Sequence, residues 1–598
     1  MEVIDIAGEY GIYIRNIEAS TLIEYNKGLR DHYEFKRAML VNSLFLDYLK
    51  ENGLHIHNEE STRDIIGLEF NYGTRSYEKE MDHLRRIAIT ASNEYNEAVT
   101  KKDKNLIEKA ESKRNKISEL TEQAHKNKEA YKEMSKDECR ILIYEEGIDI
   151  TYTDSKGNSE TIHYKMLFRS TGKAKKGSVD MIREELYDKV KNFLYMGIEL
   201  PVENAPIVEA SAYIPLISSG IVGRIQIDPT RILVLEDVDR FFTRDVVSIE
   251  TNENNHCIAK WIDNYELRNT LFDGQGLIDT SIFPKWASGY VLLRHHMTKM
   301  AAFHANMQMF FRDWCAEHGE DYETYKVKDM FGIEHFLKDI LLITTDNSCK
   351  WLKFRDILGG TNRSAYEYWC EWVRKNDCNF GVVKFSHPSK LGQYQKGSYQ
   401  MQNALDESIM TRVCQPTVDY ISKLKEDDEA FKTFLRQNMN FSNDYEVLLD
   451  LCEWNSDFVK STYYRDRKKI ILSVYLKKCK SGEILQNADN LTIVGSPYAM
   501  LLYAASGNPD DCDLDNTLLV EPGTIQCFTS RFDDGEYLVG FRSPFNGRFN
   551  MDYLHNHYDK KMQKYFNFSD QIIAVNMIGT DFQDRNKTIV SPMQKCVV

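Results

Sequence analysis

Arg169, Lys173, Lys175 and Lys176 crowd four cations into eight residues of the segment Arg169-Ser-Thr-Gly-Lys-Ala-Lys-Lys-Gly-Ser178. Glycines let a backbone approach a polyanion and the cations supply the charge, so the pattern suits a phosphate or a nucleic acid. It is not a P-loop, because Gly-Lys is not followed by Ser or Thr at the required place. A second stretch, Phe272-Asp-Gly-Gln-Gly-Leu-Ile278, precedes Gly289-Tyr-Val-Leu-Leu-Arg294 and then Lys299, which places two more cations after a glycine turn. A third, Lys384-Phe-Ser-His-Pro-Ser-Lys-Leu-Gly-Gln-Tyr-Gln-Lys396, mixes Lys390 with Tyr394, which suits stacking on a base beside a charged backbone. The fourth is Gly540-Phe-Arg-Ser-Pro-Phe-Asn546, followed by Asp581 and Asp584, paired carboxylates of the kind a magnesium site uses. Asp510-Asp-Cys-Asp-Leu-Asp515 reads instead as an exposed acidic loop, and His555 and His557 as solvated histidines on a polar helix.

The elements that must carry these residues fall into blocks. Residues 1–76 read as a small α/β region, and residues 77–137 as a charged helical arm broken into a hairpin near Thr100-Lys-Lys-Asp-Lys-Asn105. Residues 138–290 read as β-rich, with a hairpin turning at Asp154-Ser-Lys-Gly-Asn158. His296, Met300, Phe303, Met307, Phe310 and Trp314 follow helical spacing. Residues 291–480 therefore read as a mainly helical connector, with Trp351, Trp369 and Trp372 in its core. A second β block begins near Thr492 and fills residues 481–598. The expected fold class is α+β: two β blocks separated by helices, with a charged arm near the N-terminus.

Composition narrows the field. The chain has 598 residues, 42% hydrophobic and 12% aromatic, which excludes a disordered chain and predicts several domains. Lys plus Arg number 76 against 91 Asp plus Glu, a net charge of −15 that argues against a nucleic-acid-coating protein but not against a local basic cleft. The 12 cysteines include no C-x-x-C pair, so no zinc framework is visible, and reduced, mostly buried thiols are expected. No secretory leader and no membrane-spanning run is read, and the expected location is cytoplasmic.

Taken in order, the four stretches resemble the two-barrel RNA polymerases, meaning the cell-encoded RNA-dependent RNA polymerases of the silencing type and their single-chain relatives in bacteriophages. The resemblance covers about residues 140–586. Ser170-x-x-Lys-x-Lys-x-Gly177 is similar to the family's segment upstream of its first barrel, DGQGLI with GYVLLR and Lys299 to that barrel, and Arg542-Ser-Pro544 to the second. It implies two double-psi β-barrels, templated transfer of nucleotides from NTPs with Mg²⁺, and a nucleic acid template as partner. Lys299 would offset phosphate charge and Arg542 would read the ribose. Arg169, Lys173, Lys175, Lys176, Arg294 and Lys390 would contact nucleic acid or phosphate. The family's Asp-x-Asp-Gly-Asp metal triad has no counterpart after Arg585, where the chain reads KTIVSPMQKCVV. The expectation is thus a truncated second barrel with a tail foreign to the fold, no assignable metal ligands, and impaired polymerisation. A non-catalytic nucleic-acid-binding protein and a scaffold working through the 77–137 arm are the competing expectations.

Overall fold

The computed structural model describes the chain except residues 1–10, 58–60, 154–155, 170–178, 202, 204–205, 388–393, 397–405, 440–442, 520–523, 543–550, 579–594 and 598. It divides into two compact units, Met1–Gly220 and Ile221–Val598.

In the first unit, strands β1 (Ile12–Glu18), β2 (Phe35–Val41), β3 (Ile56–His57), β4 (Ser61–Glu69), β5 (Ile148–Thr153), β6 (Ser159–Arg169) and β7 (Val179–Arg183) form one sheet. Its order is β2-β1-β4-β7-β6-β5, with β3 on β4. Strict alternation in β5 buries Ile148, Ile150 and Tyr152 on one face, the period of a half-covered strand. Helices Ala19–Asn26 and Lys136–Glu146 cover that face with Leu22, Cys139 and Ile143. Between β4 and β5 the chain makes two paired helices, Tyr77–Lys101 and Lys104–Lys126. Ser76 and Asp103 cap their N-termini, and Lys102 turns the chain at φ 52°. Leu84, Ala91 and Ala98 on one helix, and Ala110, Ile117 and Ala124 on the other, are buried at seven-residue intervals, which gives a narrow seam between otherwise solvated faces. The 1–76 and 138–290 blocks expected as separate regions therefore share a sheet, because β4 pairs β7.

The second unit opens with β8 (Gly223–Gln226), β9 (Ile232–Leu235), the long ribbon β10 (Asp239–Thr251) and β11 (Cys257–Thr270), and β12 (Gln275–Asp279). Then follow β13 (Tyr290–His295), β14 (Thr298–Ala305), β15 (Lys326–Lys328), β16 (Glu334–Phe336), β17 (Leu342–Thr345) and β18 (Asn379–Phe385). Seven of these form a sheet in the order β8-β18-β13-β14-β12-β17-β9. A short pair, β19 (Tyr394–Lys396) and β20 (Leu485–Asn487), flanks a bundle of four helices, Met410–Glu426, Asp428–Asn438, Tyr445–Trp454 and Thr462–Lys480. The last six strands are β21 (Asn490–Gly495), β22 (Ile525–Phe528), β23 (Tyr537–Arg542), β24 (Met551–Asn556), β25 (Ile572–Val575) and β26 (Lys595–Val597). They close into a barrel in the order β21-β25-β22-β24-β23-β26. One core joins sheet and barrel, with Leu277, Phe303 and Ile343 packed in the same cluster as Ile493, Cys527 and Ile573. The α+β class holds, but the strands form three large systems instead of two blocks, and the 138–290 block is split between the two units.

Several expectations change. Residues 298–305 are a strand, and of the His296–Trp314 pattern only the part from Met307 onward, in the helix Met307–His318, is helical. The region 291–480, expected to be mainly helical, is helical chiefly from Met410 onward, while β14 to β18 lie in its first half. Past Gly495 the chain turns into the helix Pro497–Ser506 instead of continuing as strand, and His555 sits on β24 instead of a helix. Asp515, expected in an exposed acidic loop, is 3% exposed. The tail expected to be foreign to the fold contributes β26, which pairs both β21 and β23. Trp351, Trp369 and Trp372 are buried as expected. Among the described residues no helix is long and apolar enough to cross a membrane.

Candidate anion-binding site

Register alone assembles a cationic row on the seven-stranded sheet. Arg294 of β13 stands opposite Lys299 of β14 on one side and Gly381 of β18 on the other, and Gly381 stands opposite Arg224 of β8. Residues directly paired across strands share a face. Arg224, Arg294 and Lys299 therefore line one band, with bare backbone at Gly381 between the two arginines. Like charges placed opposite each other destabilise a sheet, so the Arg294–Lys299 pair is held against its own repulsion.

Lys350, on the short turn Lys350–Phe354, adds a third cation near Lys299. Burial pushes the Lys299 ammonium below the usual lysine range, and the charges of Lys350 and Arg294 push it further, with Asp273 pulling the other way. Lys350 is lowered in the same manner, first by burial, and burial brings the Arg294 guanidinium down to about 10. Asp273 is raised by burial while Lys350 and Lys299 oppose the rise. The result is a partly buried cluster in which Lys299 and Lys350 act on Asp273, with Arg294 beside Lys299, and such a concentration of positive charge in a desolvated place favours an incoming anion.

The loop that sets Asp273 is tightly specified. Asp273 and Gly274 have φ of 33° and 79°, left-handed values that a non-glycine residue seldom holds. The Asp237 carboxylate accepts hydrogen bonds from the Phe272 and Asp273 amides at 3.0 and 2.9 Å, and from Asn347 Nδ2 at 2.8 Å. Gly276 passes so close to β17 that a Cβ there would lie 2.8 Å from the Ile343 carbonyl oxygen. Between them, Gln275 reaches the barrel: its Nε2 donates to the Gly495 carbonyl at 3.1 Å and its Oε1 accepts from the Gly495 amide at 3.0 Å. The D-G-x-G stretch thus makes a turn, a close strand approach and a tie to the barrel.

Of the residues singled out in the sequence, Arg294 and Lys299 come together. Arg542 ends β23, where its backbone pairs Cys596, and Arg169 ends β6 in the other unit, where its backbone pairs Val179. Lys173, Lys175, Lys176, Lys390, Asp581 and Asp584 lie outside the described residues. Arg224, Lys350 and Asp237 were missed by the sequence reading. Their neighbours in space lie between about 35 and 160 residues away in the chain, and no local motif marks them. Among the described residues no group of three His, Cys, Asp or Glu side chains stands together to hold a metal ion, so these residues offer no Mg²⁺ ligand set. No protein-family model matches the chain, and no curated protein matches it in sequence.

Proposed function

We propose that the chain is a templated RNA polymerase of the two-barrel kind, in which the seven-stranded sheet and the closed barrel are the two double-psi barrels. The observation that carries this reading is the register-aligned row Arg224, Gly381, Arg294 and Lys299, with Lys350 beside it, in a unit that also contains a closed barrel bearing Arg542. In the reaction a 3′-hydroxyl attacks the α-phosphate of a nucleoside triphosphate, a P–O bond forms, and pyrophosphate leaves. Lys299, Lys350 and Arg294 would balance the phosphate charge, and they are worth more there than in water because they are already half-desolvated. The order of the DGQG, GYVLLR and Arg-Ser-Pro segments supports the same class.

The test is incorporation of labelled nucleotides by the full chain with Mg²⁺, the four NTPs and either RNA or DNA template, alongside NTP binding. The expected result is incorporation that falls by about 10²-fold or more in Lys299→Ala, the loss typical of a charge-stabilising donor. NTP binding that depends on Lys299, without incorporation on either template, would move the reading to a non-catalytic nucleic-acid-binding protein. No incorporation, with NTP binding indifferent to Lys299→Ala, overturns the site.

A further inference from the structure

The helix Thr462–Lys480 carries Arg465, Arg467, Lys468, Lys469, Lys477, Lys478 and Lys480 against the single acid Asp466, in a chain whose net charge is −15. Its inner face is committed to the four-helix core through Tyr464, Ile471 and Leu472. Two of the cations are used inside the bundle, where Arg467 pairs Asp444, and Lys468 pairs Asp428 at 2.7 Å. Among the described residues Arg465, Lys469, Lys477, Lys478 and Lys480 make no ion pair, and all five are exposed. At 100° per residue Arg465, Lys469 and Lys480 fall within about 60° of one another, with Lys477 about 60° further round. They run about 22 Å along the axis. Ile470 and Val474, 52% and 55% exposed, lie beside this track.

Like charges four residues apart weaken a helix, and among the described residues neither Arg465 nor Lys469 makes an ion pair, with Asp466 the one acid on their helix. The charges form a line along the axis, which matches a linear polyanion. The helix cannot bury an apolar face in a bilayer, because that face already packs against its own bundle. We infer that the outer face of Thr462–Lys480 is a docking surface for a single-stranded nucleic acid. Arg465, Lys469, Lys477 and Lys480 hold phosphates at unequal intervals along the strand, and Ile470 and Val474 contact sugars and base edges. This surface is separate from the Arg294–Lys299 row and shares with the polymerase reading only the polyanionic character of the ligand.

The experiment uses the full chain, a fluorescent 20-nucleotide single-stranded RNA, and a salt titration from 50 to 200 mM. The variant R465E/K469E/K477E/K480E is compared with wild type, and thermal unfolding of both checks that the bundle is intact. The expected result is an affinity at least ~10-fold weaker at intermediate salt. The slope of log K against log salt should become shallower by about 3, near 0.7 for each of four lost phosphate contacts. The neutral variant R465Q/K469Q/K477Q/K480Q should fall between the two and keeps the test open if charge reversal unfolds the bundle. NTP binding, read separately, should be unchanged, so loss at the cationic row of the sheet and loss at this helix are told apart. Unaltered RNA affinity and salt slope in both variants overturn the inference. So does co-sedimentation with phosphatidylserine vesicles that the four substitutions abolish while RNA binding persists.

Discussion

A buried carboxylate sets the geometry of the candidate site. Asp237 holds the Phe272 and Asp273 amides and the Asn347 side chain, and so fixes the left-handed turn that presents Asp273 to Lys299 and Lys350. Burial pushes its carboxyl up to about 6, with Asp346 adding to the rise, against those hydrogen bonds. The folded chain thus binds this proton more tightly than the unfolded chain, where the pKa is about 4. A raised folded pKa gives a stabilising contribution that is complete below the unfolded value and is lost as pH rises through the folded one. Urea denaturation monitored at the second unit should therefore show wild type losing stability between about pH 4 and pH 6 relative to Asp237→Asn, which cannot titrate. Parallel pH profiles for the two proteins would mean that Asp237 ionises as freely as in the unfolded chain.

The β10–β11 ribbon shows how unevenly stability is spread among elements. It pairs over 13- and 14-residue strands yet among the described residues joins no other sheet, and Phe241, Ile249 and Trp261 are 60%, 69% and 63% exposed. Isolated two-stranded ribbons are marginal in water, so the distal half, from Val246 to Ile262, should open locally without unfolding the unit. Hydrogen exchange read by mass spectrometry should show these amides exchanging at least ~100-fold faster than those of β13 and β14, while equal protection would reveal a partner covering the ribbon. Legibility in the sequence follows the same physics. The Tyr77–Lys126 helix pair was readable because solvated faces leave a clean periodicity and Ser76 and Asp103 cap visibly. β14 was misread because it is buried on both faces, so Met300, Ala301, Ala302 and Phe303 carry no alternation, and the helix beginning at Met307 extends an accidental spacing backwards. Arg294 and Lys299 could be picked out as cations after a glycine turn, but their pairing needs the β13–β14 register. Arg224 and Lys350 enter only through strands and turns far away in the chain.

At the scale of the second unit, the seven-stranded sheet and the closed barrel behave as one body because they share a core and a polar tie. Leu277 and Phe303 of the sheet pack in one cluster with Ile493 and Ile573 of the barrel, and Ala305 bridges Phe566. Gln275 closes the arrangement by satisfying both the amide and the carbonyl of Gly495 at a point where all of these atoms are buried. Gly495 itself has no room for a larger residue, since a Cβ would lie 2.8 Å from Met577 Cγ. Truncating Gln275 leaves a buried donor and a buried acceptor unpaired together, each worth roughly 1–3 kcal/mol, so Gln275→Ala should destabilise this unit by about 2–6 kcal/mol. Gln275→Glu keeps the acceptor for the Gly495 amide but sets a carboxylate against the Gly495 carbonyl, and should be at least as damaging near neutral pH. Because the tie spans both β systems, the loss should appear as weaker hydrogen-exchange protection in β12 and β21 together. Protection that falls in β21 alone would mean that the barrel opens without the sheet and that the shared core does not couple them.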